Sequence, residues 1–200
     1  MRSQLVVLLG LIAAIAGFEA YYSLKTPDAA LRQTRTAEVY TAILEKIISR
    51  DSSNIEQIYL FQETDAGAVP TVQARLREGL SEEQAKGGLE HQRAKFDRAM
   101  GQLRAKPETL ADFEASNSAP HLLDLPLKLS RPYHWVRLNL RGIPRGQLVI
   151  GFSDVGFDRE MDEAVVTLNS FMMRSDYRLT RTAEHQWKIA ECSGGRFVMD

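Results

Sequence analysis

Apolar residues recur every three or four positions from Val39 to Ile48, and every second position in several stretches of the last third of the chain. That change of period divides the sequence into a helical front and a strand-rich back. Val39, Tyr40, Ile43, Leu44, Ile47 and Ile48 form one stripe, with Glu38, Glu45 and Lys46 off it. The spacing predicts an amphipathic helix from about Thr34 to Ser49, ending before the turn-forming run Asp51-Ser52-Ser53-Asn54. Ile55 to Phe61 is rich in branched and aromatic residues and reads as a strand. From Val69 to Ala105 apolar positions thin out and charged residues dominate, broken by Gly87-Gly88. Leu76 and Leu80 suggest one short helix there, and Leu89, Phe96, Met100 and Leu103 a second. Lys106-Pro107-Glu108-Thr109 opens a third, with proline in the first turn where its missing N–H costs nothing.

Pro120, Pro126 and Pro132 exclude long regular structure before His134. His134 to Leu140 then alternates, with Trp135, Arg137 and Asn139 on one face and His134, Val136, Leu138 and Leu140 on the other. Gln147 to Phe157, Glu163 to Asn169, Tyr177 to Thr182 and Trp187 to Cys192 follow as strands joined by hairpin-length connections. The expected fold is α+β: an N-terminal amphipathic helix packed on a C-terminal antiparallel sheet, with a charged helical segment inserted at about 69–116.

Ahead of this body, Arg2 precedes a run from Leu5 to Ala16 in which only Gly10 is not strongly apolar. Ala14-Ile15-Ala16 has the small-x-small pattern of a signal cleavage site. An uncleaved anchor from Leu5 to about Leu24 is the rival reading, although Glu19 interrupts the roughly 20 apolar residues that a spanning helix needs. A buried helix at the start of a soluble domain is the bland alternative. Both leader readings send the rest across a membrane, to the periplasm or the outer face of the cytoplasmic membrane. Residues 1–24 would be the signal or anchor, 25–33 a linker and 34–200 a single domain. Membrane contact would be confined to 1–24, and no lipobox cysteine stands at the end of the leader to carry a lipid.

The formal net charge is −1, so bulk electrostatics give no case for nucleic acid or anionic lipid. Arg93, Lys95, Arg98, Arg104 and Lys106 interleave with Glu90 and Asp97, as on a solvated helix face. The single cysteine, Cys192, excludes an internal disulfide and reads as a small buried hydrophobe; pairing between chains and nucleophilic chemistry are the alternatives. Gly151-Phe152-Ser153-Asp154-Val155 departs from a hydrolase nucleophile elbow, because Val155 stands where that sharp turn needs glycine. His91, His121, His134 and His185 show no metal-ligand spacing, and no glycine-rich loop precedes a helix, so neither metal nor cofactor is expected. Asp154, Asp158, Asp162 and Glu163 are acidic neighbours, but Asp158 and Asp162 fall where a hairpin turn favours aspartate. His134 beside Trp135 is the best candidate binding surface. Phe171-Met172-Met173 is the other: buried it is core, exposed it is a contact patch. The expected function is a non-catalytic interaction domain of the cell envelope, taking an unknown protein or small ligand. The alternative is an exported hydrolase assembled from Ser153, His134 and Asp154.

Phe152-Ser153-Asp154-Val155-Gly156-Phe157-Asp158, Glu163 to Leu168, Tyr177-Arg178-Leu179 and Trp187-Lys188-Ile189 together resemble a group of uncharacterised bacterial exported proteins. Val39-Tyr40-Thr41-Ala42-Ile43-Leu44 resembles the helix that opens that family, and Ile58 to Thr64 its next strand. The resemblance covers both ends of the exported part and leaves the middle unmatched. It implies architecture rather than activity, and transfers no catalytic residue. The chain departs from the family where Ser170 to Ser175 replaces a cysteine- and glycine-rich loop.

Overall fold

The structure is a computed structural model, and it describes residues 29–50, 55–64, 68–71, 76, 79–137, 147–170 and 173–194. The candidate leader, Phe171 and Met172 lie outside the described residues. By its chain contacts the molecule divides into two units, Met1–Arg35 and Thr36–Asp200. Among the described residues no helix is long and apolar enough to cross a membrane.

The helix α1 (Ala29–Arg50) starts five residues earlier than its apolar stripe requires. The extra residues have no β-branched run or proline to stop them, and the apolar stripe only marks the part that gains burial. Its buried residues Thr36, Val39, Tyr40, Ile43, Leu44, Ile47 and Ile48 contain the whole predicted stripe. Beyond α1 come β1 (Ile58–Phe61), α2 (Glu82–Lys86), α3 (Leu89–Leu103) and α4 (Pro107–Ser116). Then follow β2 (Tyr133–Val136), β3 (Leu148–Phe152), β4 (Gly156–Phe157), β5 (Glu163–Ser170), β6 (Met173–Arg181) and β7 (Trp187–Gly194). The helical insertion is thus confirmed, with its regular part at 82–116. Before it, Ala68 and Val69 are buried.

Seven described strands form one α+β sheet in the order β2-β1-β3-β5-β6-β7, with β4 also on β5. The expectation of an antiparallel sheet holds for β3 to β7 and is corrected at the other edge, where β1 runs parallel to both β2 and β3. The physical reason is connection length: β1 reaches β2 and β3 only through the helical insertion and the proline-rich segment. Crossovers of that length are what parallel neighbours need. The predicted strand Gln147–Phe157 is also broken in two. Four residue steps from Phe152 to Gly156 face three on β5 from Leu168 to Val165, which is a β-bulge at Ser153–Val155.

The main core lies between α1 and one sheet face. Ile58, Leu60, Ile150, Phe152, Ala164, Val166, Leu168, Tyr177, Leu179 and Trp187 meet the α1 stripe there. Tyr40 stacks on Phe152 with ring centroids 4.2 Å apart, and its hydroxyl donates to the Ser153 carbonyl at 2.8 Å. Trp187 donates from its indole N–H to Glu38 at 3.1 Å. Between Leu123 and Leu129 the chain alternates like a strand but pairs with no neighbour over most of its length; Leu123, Leu125 and Leu127 point into this core. Prolines at 120, 126 and 132 keep this strap out of the sheet. Glu45 on α1 accepts from both the backbone N–H and the hydroxyl of Ser130 at the strap's end.

The opposite sheet face is divided. α3 lies against β6 and β7, and α4 against β4 and β5. A second, smaller core gathers Ala68, Val69, Phe96, Met100, Leu103 and Phe113, with Val165 as the only buried apolar side chain from the sheet among the described residues. Over β1, β2 and β3 the same face carries Tyr59, Phe61, His134, Val136 and Val149, none of which belongs to either core.

Candidate functional site

Ser153 and Asp154 sit in the bulge, where irregular backbone often re-aims side chains for function. Here the bulge serves itself. Ser153 is fully buried, and its Oγ accepts the Thr167 N–H at 2.8 Å while donating to the Asp154 carbonyl at 2.9 Å. The hydroxyl therefore replaces the ladder carbonyl that the extra residue displaces. Asn117, at the end of α4, clasps Asp154 from the other side: its Oδ1 accepts the Asp154 N–H at 2.7 Å and its Nδ2 donates to the Asp154 carbonyl at 3.1 Å. His121 approaches Asp154 to 3.9 Å, and its ring donates to the Ser116 carbonyl at 3.0 Å.

His134 is elsewhere. Register places it opposite Tyr59 on β1, which in turn pairs Val149 on β3. Ser153 is four residues beyond Val149 and two strands away, roughly 13 Å along the strand direction alone. The structure does not bring Ser153 and His134 together, so His134 does not stand within hydrogen-bond reach of the serine. Cys192 is half-buried beside Tyr177; burial pushes its thiol above the ordinary value, the Asp176 charge adds to this, and the Tyr177 hydrogen bond opposes it.

His134 and Trp135 do not make one surface. Trp135 faces the main core, its indole N–H donating to the Leu125 carbonyl at 3.3 Å and its ring edge-on to Tyr133 at 6.3 Å. It is a strap-holding residue. His134 is exposed on the other face, tilted against the Tyr59 ring at 5.5 Å. The Tyr59 hydroxyl donates to Gln57 at 3.0 Å, and Gln147 accepts the Gln57 N–H at 3.2 Å. Phe61 lies over Gly151 so closely that a Cβ there would meet its ring at 3.1 Å. Tyr59 and Phe61, both half-buried, and the exposed His134 are thus an aromatic row on the half of the sheet that α3 and α4 leave uncovered among the described residues. Alternation had already put His134 and Val136 on one face; Tyr59 and Phe61 could not be added without the parallel register of β1 on β2. Met173 opens β6 opposite Ser170 and is half-buried.

Sequence reading missed a polar cluster under the helical insertion. Glu163 Oε1 accepts the Lys106 backbone N–H at 2.6 Å and the Thr109 hydroxyl at 2.8 Å, while its Oε2 meets Arg178 at 3.2 Å. Because Lys106 caps α4 without a side-chain bond and Pro107 follows it, a carboxylate from β5 supplies the cap from outside the helix. The wholly buried carboxylate of Asp158 binds the Lys106 ammonium and accepts the Asp162 and Glu163 N–H groups at 2.8 and 2.9 Å. Burial acts to raise its pKa; the Lys106 hydrogen bond, the two backbone bonds and the Lys106 charge outweigh that and hold the carboxyl below the usual range. Glu108 and Glu160 complete a carboxylate group around Asp158, and the Lys106 ammonium already serves it. Asp112 accepts the Phe157 N–H at 2.7 Å. Glu108 and Asp158 are 50 positions apart in the sequence, so no local motif could announce them.

The chain matches no protein-family model, no curated protein and no solved structure.

Proposed function

We propose that this chain is an exported protein of the cell envelope whose body is a non-catalytic binding domain. The partner or small ligand is engaged on the open half-sheet around Tyr59, Phe61 and His134. The observation that carries this reading is the uneven cover of the sheet. α3 and α4 shield β4 to β7, whereas the β1–β2–β3 face presents an aromatic row that belongs to neither core. Aromatic side chains bring large contact area at low entropic cost, which suits recognition. The Ser153 hydroxyl, the nucleophile of the hydrolase alternative, is engaged by the backbone of Asp154 and Thr167. Export rests on the Leu5–Ala16 run and the adjacent Arg2.

A photo-crosslinking amino acid at position 134, compared with one at Lys95 on the outer side of α3, tests this in intact cells. The expected result is one discrete adduct from position 134 that disappears with Tyr59→Ser, together with recovery of the protein outside the cytoplasm. Equal, diffuse adducts from both positions, or none from position 134, would refute the binding surface. Intact protein fractionating with the cytosol would refute export alone.

A further inference from the structure

Two helices whose buried sides are apolar sit here on a sheet face that is mostly polar. Beneath α3 and α4, β5 to β7 present Glu163, Thr167, Asp176, Arg178, Glu191 and Ser193, and Val165 is the one buried apolar contact the sheet offers. Thr167 donates to Asp176 at 2.6 Å and Ser193 donates to Gln102 on α3 at 2.7 Å. The ties from α4 run mainly through carboxylates: Glu163 to Lys106 and Thr109, Asp158 to Lys106, and Asp112 to Phe157. The Asn117–Asp154 clasp is a tie that does not titrate. We infer that α3 and α4 form a lid, latched to the sheet side by the buried Asp158 carboxylate on Lys106, that lifts from the sheet when Asp158 protonates and before the α1-backed core opens.

The charges around the latch set the direction. Asp158 faces Lys106 and Glu108 from α4, and Glu160 and Asp162 from its own turn. Glu163 faces Lys106 and Thr109 from α4 and Arg178 from β6, which also meets Glu191 of β7 at 3.7 Å. Protonating Asp158 removes the carboxylate that the Lys106 ammonium binds. Relief of repulsion from Glu108 and Glu160 works the other way. Because the Asp158 carboxyl is held low in the folded state, its contribution is present above the ordinary carboxylate range. It is lost as pH falls through the folded value, below about 4. Lifting exposes the smaller second core and a sheet face that is otherwise polar, whereas parting α1 from the sheet would bare the much larger main core.

Hydrogen exchange of the full protein, followed peptide by peptide and corrected for the intrinsic pH dependence of exchange, tests the latch. Between about pH 6 and pH 3, residues 89–116 should lose about tenfold protection or more, the worth of one charge-assisted hydrogen bond. Residues 36–48 and 164–168 should hold theirs. Asp158→Asn, which keeps the side chain's size but not its charge, should loosen 89–116 already at pH 6. Simultaneous loss of protection in lid and core would overturn the inference, as would full protection of 89–116 at pH 3 or in the Asp158→Asn protein.

Discussion

Glu163→Ala should lower the free energy of unfolding by about 3–5 kcal/mol, the cost of breaking one side of a buried ion pair. The Glu163 and Arg178 side chains are only 6% and 17% exposed, so solvent does little to soften the loss. The same change strips α4 of its external cap and leaves the Thr109 hydroxyl, which is fully buried, without its acceptor. Glu163→Gln keeps an acceptor for Lys106 and Thr109 and should cost clearly less. Lys86 and Glu82 supply the contrast, for their bridge is 64% and 72% exposed. Breaking it should shift stability by less than about 0.5 kcal/mol. Urea unfolding curves read all three, and equal losses at Glu163 and Glu82 would show that the cluster under α4 is not buried as described.

Gly156→Ala should be almost as damaging, for a steric reason. A Cβ at Gly156 would lie 2.5 Å from both the N and Cα of Phe113, so β4 and the backbone of α4 are in direct contact. A backbone cannot rotate away as a side chain can. Either α4 retreats, pulling Phe113 from the second core and stretching the Asp112 bond to Phe157, or the bulge is lost. Overpacking of this kind costs about 3 kcal/mol, toward the upper end of its usual range. Gly101 on α3 makes the opposite prediction, since a Cβ there meets nothing within 4 Å. Gly101→Ala should stabilise by roughly 0.5–1 kcal/mol, because alanine restricts the unfolded chain and favours the helix. Thermal unfolding distinguishes the signs: a melting temperature raised by Gly101→Ala and lowered by Gly156→Ala is expected, and a harmless Gly156→Ala would contradict the contact.

Which parts of this could be read in advance follows from where the physics is local. The α1 stripe was legible because burial on a helix repeats every turn; each of Val39, Tyr40, Ile43, Leu44, Ile47 and Ile48 is buried. Strands β5, β6 and β7 were legible because alternation and hairpin-length connections specify each other. The parallel placement of β1 was not, since it depends on two long crossovers rather than on any residue in Ile58–Phe61. Ser153–Asp154–Val155 read as continuous strand, because a bulge is a mismatch in count between two strands and one strand alone does not reveal it. The site fared likewise. Ser153 looked like a weak nucleophile and proves to be a backbone partner, and Trp135 looked like a binding residue and proves to be packing. His134 kept its exposed position but gained Tyr59 and Phe61 as neighbours that only register could supply. Asp158 and Glu163 read as turn and strand-start residues; both are that, and both also anchor the start of α4, 52 to 57 positions upstream.

The proposal as a whole turns on whether the face of β1, β2 and β3 is occupied where the protein works. Hydroxyl-radical footprinting of the purified protein and of intact cells measures this residue by residue. Tyr59, Phe61 and His134 should oxidise readily in the purified protein and be shielded in cells, while exposed positions of α3 such as His91 react alike in both. Identical reactivity of the aromatic row in the two settings would mean that nothing docks there.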